Sequence, residues 1–141
     1  MAFEPIRNQL KTKLESIDSI QEVHDYPTEE FGGFPAAIVK STRNDAEFQT
    51  TTQNQRVYIF TVYILQEIES QDIRKARRII EGVVDDVIEA FDQDQLLTGI
   101  SLPSNETMII SFPVLSQIWE DPKYVVAELE VRVVVQFDTQ I

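Results

Sequence analysis

The side chains best able to do chemistry are few and scattered. His24 is the only histidine, so any His-based triad would have to use it, and no second imidazole is present to share a transition-metal site. At a strand end such a residue reads as surface or half-buried. There is no cysteine, which removes disulfides, thiolate metal sites and a Cys nucleophile, and fits a reducing compartment. Neither a GxxxxGK[ST] loop nor a GxGxxG after a strand occurs. Gly32-Gly33, between Phe31 and Phe34, is too short to cradle a phosphate and reads as the turn that sets the Phe34-Pro35 corner. Asp85-Asp86 and Asp92-Gln93-Asp94 lack the DxDxDG loop and distal Glu of a calcium hand. With 24 acidic residues in the chain, finding two carboxylates for glycoside chemistry would be uninformative. The expectation is a protein with no catalytic residues, no metal and no cofactor.

The elements that would position any site fit one domain spanning residues 1–141. A chain of 141 residues with 43% apolar content is long enough to bury roughly two-thirds of its unfolded surface. No apolar stretch reaches the roughly twenty residues of a membrane helix, and no signal-peptide pattern opens the sequence. Twelve basic against 24 acidic residues give a formal charge of −12. Such a surface repels phosphate backbones, so a module that grips nucleic acid is disfavoured, while a DNA-facing surface that must not grip is allowed.

The order read from periodicity is α-β-β-β-α-β-β. Ile6, Leu10, Leu14 and Ile17 form one helical stripe behind Pro5, a residue that suits a first turn. A short strand over 21–26 precedes a turn through Pro27, Gly32, Gly33 and Pro35, and Ala36–Ser41 is the next strand. Residues 42–55 are almost wholly polar, apart from Phe48, and read as a solvated hairpin arm. Arg56–Gln66 is a strong strand. A second helix runs from a Ser70 N-cap to about Phe91, with Ile73, Ala76, Ile80, Val83, Val84, Val87, Ile88 and Phe91 on its apolar face. Strands over 108–114 and 124–137 follow, joined by a loop holding Trp119 and Pro122.

The last strand alternates cleanly, with Val125, Ala127, Leu129, Val131, Val133, Val135 and Phe137 opposite Glu128, Glu130, Arg132 and Gln136. The strand over 56–66 is apolar on both faces: Tyr58, Phe60, Val62 and Ile64 on one, Val57, Ile59, Tyr63 and Leu65 on the other. Either the two helices cover both faces, or they share one and leave apolar surface for another subunit. The charged face of the last strand favours the second arrangement, an α+β sandwich with a mostly antiparallel sheet and both helices mainly on one side. The second helix is also polarised. Arg74, Lys75, Arg77 and Arg78 occupy its early turns, and Asp85, Asp86, Glu89 and Asp92 its late ones, against the preference of the macrodipole. A basic end meeting a neighbour's acidic end would make a heterologous interface, which closes into a ring when the rotation permits.

Three strings then carry a resemblance: Gly33-Phe34-Pro35-Ala36-Ala37-Ile38-Val39; the polar hairpin Thr50 to Arg56 leading into Val57-Tyr58-Ile59-Phe60-Thr61-Val62; and Tyr124 to Val131 after an amphipathic helix. Together they resemble the tail-terminator (tail-completion) proteins of long-tailed, non-contractile bacteriophages and related archaeal viruses. The resemblance implies an α+β structural protein of the virion, assembled in the host cytoplasm. It would form a hexameric ring with copies of itself, cap the tail tube at the tail–neck junction, stop tube polymerisation and offer a surface to the neck or head-completion protein. DNA would pass the bore without specific binding, and no membrane is involved. On that reading the neighbour contacts fall to Tyr58, Phe60 and Val62 and to the helix ends at Arg74, Arg78, Asp85 and Glu89. The arm about Phe48 to Gln55 would reach an axial partner or adjacent subunit, ordering on assembly, and Trp119 would be an interface anchor. The alternatives are a neck or head-to-tail adaptor ring and, from a different class, a small ligand- or peptide-binding α+β domain.

Overall fold

The computed structural model describes residues 3–28, 30–48, 53–68, 72–95, 97, 100, 102–103 and 106–138. The chain forms α1 (Phe3–Glu15), β1 (Glu22–His24), β2 (Ala36–Phe48), β3 (Gln53–Glu67), α2 (Ile73–Gln93), β4 (Glu106–Glu120) and β5 (Tyr124–Asp138). The expected element order is present. The five strands make one sheet in the order β1-β2-β3-β5-β4, antiparallel except for the short β1–β2 pair. This is the α+β sandwich that the alternation of the last strand implies.

Both helices lie on one side of the sheet. Ile6, Leu10 and Leu14 of α1 and Ala76, Ile80, Val83, Val84, Val87 and Phe91 of α2 join one core. That core also takes Ala37 and Val39, the even-numbered residues Tyr58 to Ile64, and the odd-numbered residues Val125 to Val135. The period of two along β3 and β5 and of 3.6 along the helices meet here, which is why these side chains find cover. Phe3 closes one end, its ring 5.0 Å from that of Tyr58 and 5.7 Å from that of Phe60, both edge to face. The Tyr58 hydroxyl donates to Glu106 Oε1 at 3.4 Å. Leu97, at a φ of 50°, folds back after α2 and is fully buried.

The structure corrects three local expectations and refines one, the third below. First, Tyr58, Phe60 and Val62 are 1%, 0% and 0% exposed. They face the helices of their own chain, so a neighbouring copy cannot touch them in this fold. The face left without helices is the other one, carrying Val57, Ile59, Thr61, Tyr63 and Leu65. Second, β4 does not stop at Val114. It runs to Glu120 through a bulge between Leu115 and Gln117, so Trp119 sits on a strand opposite Val126. Third, the hairpin expected over 42–55 is made by β2 and β3 themselves continuing into the polar segment, paired as far as Phe48 with Asn54. Backbone ladders need no apolar side chains, and a bulge between Ser41 and Arg43 absorbs the change of register. Fourth, α2 is capped by Asp72, whose carboxylate accepts from the Lys75 N–H at 3.1 Å. Ser70 lies outside the described residues.

Candidate functional site

The outer surface of α2 is divided lengthwise by charge. Ile73, Arg74, Lys75 and Arg78 are exposed in its first two turns. Arg77 is committed to Glu120 at the end of β4, at 2.8 Å. No described residue forms an ion pair with Arg74, Lys75 or Arg78. The carboxyl-terminal half exposes Asp85, Asp86, Glu89 and Asp92. Asp86 accepts from the Ser19 hydroxyl at 2.8 Å, and Glu89 from the Gln93 amide at 3.2 Å. Below them Lys13 binds Asp94 at 3.0 Å and lies over the Phe91 ring. Helical spacing thus puts Arg74 with Arg78, and Asp85 with Glu89, each pair one turn apart.

The helix-free face of the sheet is mixed rather than greasy. At its centre Arg132 grips Glu130 through Nε at 2.9 Å and Nη2 at 2.8 Å, with Arg43 3.8 Å from the same carboxylate. The register explains the grouping: Arg43 and Arg132 both stand opposite Ile59, and Glu130 opposite Thr61. Beside them, burial and then the neighbouring Glu128 carboxylate push the Tyr63 hydroxyl above its usual pKa. The Tyr63 ring meets Trp119 edge to face at 6.3 Å. Trp119 is therefore half-buried on the open face, next to an aromatic neighbour that its sequence position does not announce.

One end of this face is covered by the segment between β1 and β2. Phe31 and Phe34 pack on each other at 5.5 Å and on Tyr124 at 6.2 and 5.6 Å; His24 joins Phe31 at 5.8 Å and Tyr26 at 5.7 Å. On the same face Ile38 and Val126 are buried although no helix lies above them. Glu22 fastens it: Oε1 accepts from the Gly32 N–H at 2.9 Å, and Oε2 lies 3.2 Å from His24 Nε2. Those two bonds, the Gly32 one foremost, hold the Glu22 carboxyl below its usual pKa. A side chain on Gly32 would put its Cβ 2.5 Å from Glu22 Oε1, which is why glycine suits the position. A cleft lined by Thr28, Phe31, Leu65, Asp121, Lys123 and Tyr124 opens beside the lid, and Tyr26, edge to face with His24, is 57% exposed. Sequence reasoning missed this cluster. The available signal was the presence of Tyr26, Phe31 and Phe34 in a turn, more aromatic surface than a solvated turn requires.

The backbone of Phe48 closes the last described pair of the arm; its side chain and residues 49–52 lie outside the described residues, as does the expectation that the tip orders on assembly. Among the described residues no three His, Asp or Glu side chains are grouped to hold a metal ion. No described helix is long and apolar enough to cross a membrane.

No family model matches the chain, and no curated protein does. Among solved structures it is similar to a chain described as "Virion of native gene transfer agent (GTA) particle", at a TM-score of 0.41 and 10% identity, over 94% of this chain and 91% of that one. A likeness this distant carries no argument about function.

Proposed function

We propose that this protein is a structural component of a virion that assembles with copies of itself into a ring, capping a tail tube and joining it to the neck or head. The observation that carries the reading is the division of α2. Most of its apolar side is sealed in the core, while its outer side presents cations that no described residue pairs at one end and carboxylates at the other. Opposite charges on separate patches of one chain favour head-to-tail contact, which is heterologous and closes into a ring when the rotation per copy divides a full turn. The resemblance of the local strings to those of tail terminators is what suggests the tail-cap role. The surplus of acid over base supports a bore that lets DNA pass without holding it. Catalysis has no part in this reading.

The test is a solution molar-mass measurement at low and high salt, with and without purified tail-tube protein, followed by electron microscopy. The expected result is a ring, and shorter tubes when the protein is added to polymerising tube subunits. A monomer under every condition would overturn the proposal. Rings that bind portal-side proteins and ignore the tube would identify a neck adaptor instead.

A further inference from the structure

β4 is an edge of the sheet, and its two halves are finished differently. In the first half the Ser111 N–H points away from β5 and donates to the Gln95 carbonyl at 2.7 Å. The next outward position is Pro113, which has no N–H to offer. Past the bulge between Leu115 and Gln117, the register with β5 turns the N–H and C=O of Ile118 and Glu120 outward, and no described residue bonds to them. The residues from Val114 to Gln117 are all exposed, Val114 by 46% and Leu115 by 39%. No charge falls between Thr107 and Trp119, so this edge lacks the lysines that commonly keep an open strand solitary.

The opposite edge is open at the other end. β1 pairs only with Ala36, Ala37 and Ile38, and among the described residues no strand lies outside the rest of β2. Thr42 to Phe48 and Val114 to Glu120 are equal in length, seven residues each. β4 runs parallel to β3 and β2 antiparallel to it, so copies repeated in one orientation bring β4 against β2 antiparallel. The phases agree as well. Asn44, level with Tyr58, and Ile118, level with Ile64 through Ala127, both fall on the helix side and both turn their backbone groups outward.

We infer that the open half of β4 pairs with the outer edge of β2 in the next copy, Ile118 against Asn44, continuing one sheet from protomer to protomer. The inference rests on the ring reading and names its joint. Matching Ile118 with Asn44 slides each copy by six residues, the separation of Ile64 and Tyr58 on β3. That is about 20 Å along the strands for about 19 Å across the four strands β2, β3, β5 and β4 that each copy adds. The strands then tilt about 45° from the ring axis, at the upper end of the roughly 35–45° of closed barrels. The slide also sets the neighbour's β1 beyond Glu120 rather than against it. Because β4 is uncharged there, Asp45 and Glu47 fall opposite no carboxylate, which matters in a chain of charge −12. Two β4 edges pairing about a two-fold axis would instead close a dimer and leave β2 open.

Thiol mapping tests this, since the chain has no cysteine of its own. In this register Gln117 and Asp45 form a non-hydrogen-bonded pair, whose Cα atoms approach to about 4.5 Å, within disulfide reach. Chains carrying Gln117→Cys and chains carrying Asp45→Cys, mixed, assembled and mildly oxidised, should give a mixed disulfide dimer on a non-reducing gel. Neither chain alone should cross-link, and one chain carrying both substitutions should link into a ladder ending at the ring number. Val114→Lys with Ser116→Lys should weaken self-association about tenfold, while the melting temperature of the dilute protein stays within about 2 °C of the parent. Rings that form but stay unlinked, or that tolerate the two lysines, place the joint elsewhere and leave the ring reading standing. Gln117→Cys chains that link to one another reveal two-fold pairing of β4 and overturn the proposal. If the parent never associates, with or without tube protein, both fall.

Discussion

Replacing Phe60 by alanine separates a core residue from an interface residue. Phe60 is fully enclosed, with both helices over its face of the sheet and the Phe3 ring 5.7 Å away. Truncation removes the transfer free energy of the ring and leaves a cavity, together about 3–5 kcal/mol. Total stability of a domain is about 5–15 kcal/mol, so a large fraction is lost. For a chain of this size that corresponds to a fall in Tm of about 10–20 °C. The assay is urea and thermal unfolding of the dilute protein, followed by far-ultraviolet circular dichroism so that association does not contribute. Tyr63→Ala, three residues on and on the opposite face, should cost only about 1–2 kcal/mol, from partial ring burial and the contact with Trp119. A Phe60→Ala variant that melts within about 2 °C of the parent yet fails to assemble would return Phe60 to the surface and refute this account of the core.

Three further outcomes follow from local geometry. Asp72→Ala should destabilise by about 1 kcal/mol in chemical denaturation, because the Lys75 N–H loses its cap, while Asp72→Asn should stay close to the parent. Glu22 has a lowered pKa in the folded state, so its contribution is present above the unfolded carboxyl value near 4.5 and is lost as pH falls through the lower folded value; Glu22→Gln should flatten the loss of stability in acid, and an unaltered acid limb would show that the Gly32 clamp contributes nothing. Tyr63 has a raised pKa, so its neutral form stabilises the fold below the unfolded value near 10.0, and that contribution disappears as pH climbs through the folded value. Absorbance titration should lose a late-ionising tyrosine in Tyr63→Phe, and Glu128→Gln should bring that group to lower pH.

How far the sequence revealed the fold depends on whether neighbouring residues made competing demands. The stripe Ile6-Leu10-Leu14 and the alternation of β5 each had a single solution, and both lie where their periodicity puts them. β3 had two. Both its faces are apolar, and the choice between them was made by the side chains of α1 and α2 and by the lid from Tyr26 to Phe34, elements distant in sequence. The uncovered face was therefore foreseeable, but not its identity. Trp119 was misplaced because Pro122 signals a turn and the bulge at Leu115 breaks the alternation that would have shown the strand continuing. The charge polarity of α2 was wholly legible, being a property of composition along one helix. The aromatic cleft was not, since it joins residues on either side of the β1–β2 connection to Tyr124, about ninety positions later.

The position of β5 inside the sheet governs how the molecule can be born. β2 and β3 form a hairpin as soon as both leave the ribosome, but the other flank of β3 is reserved for a strand made nearly sixty residues later. At roughly 5–20 residues per second, translation leaves that flank bare for several seconds. During that interval the hairpin displays an unpaired strand bearing Tyr58, Phe60 and Val62, with α1 and then α2 to shield one face but nothing to pair its edge. Half-made chains on one polysome can then zip to each other along this strand, and its late arrival makes residues 124–138 the step on which the yield of native protein turns.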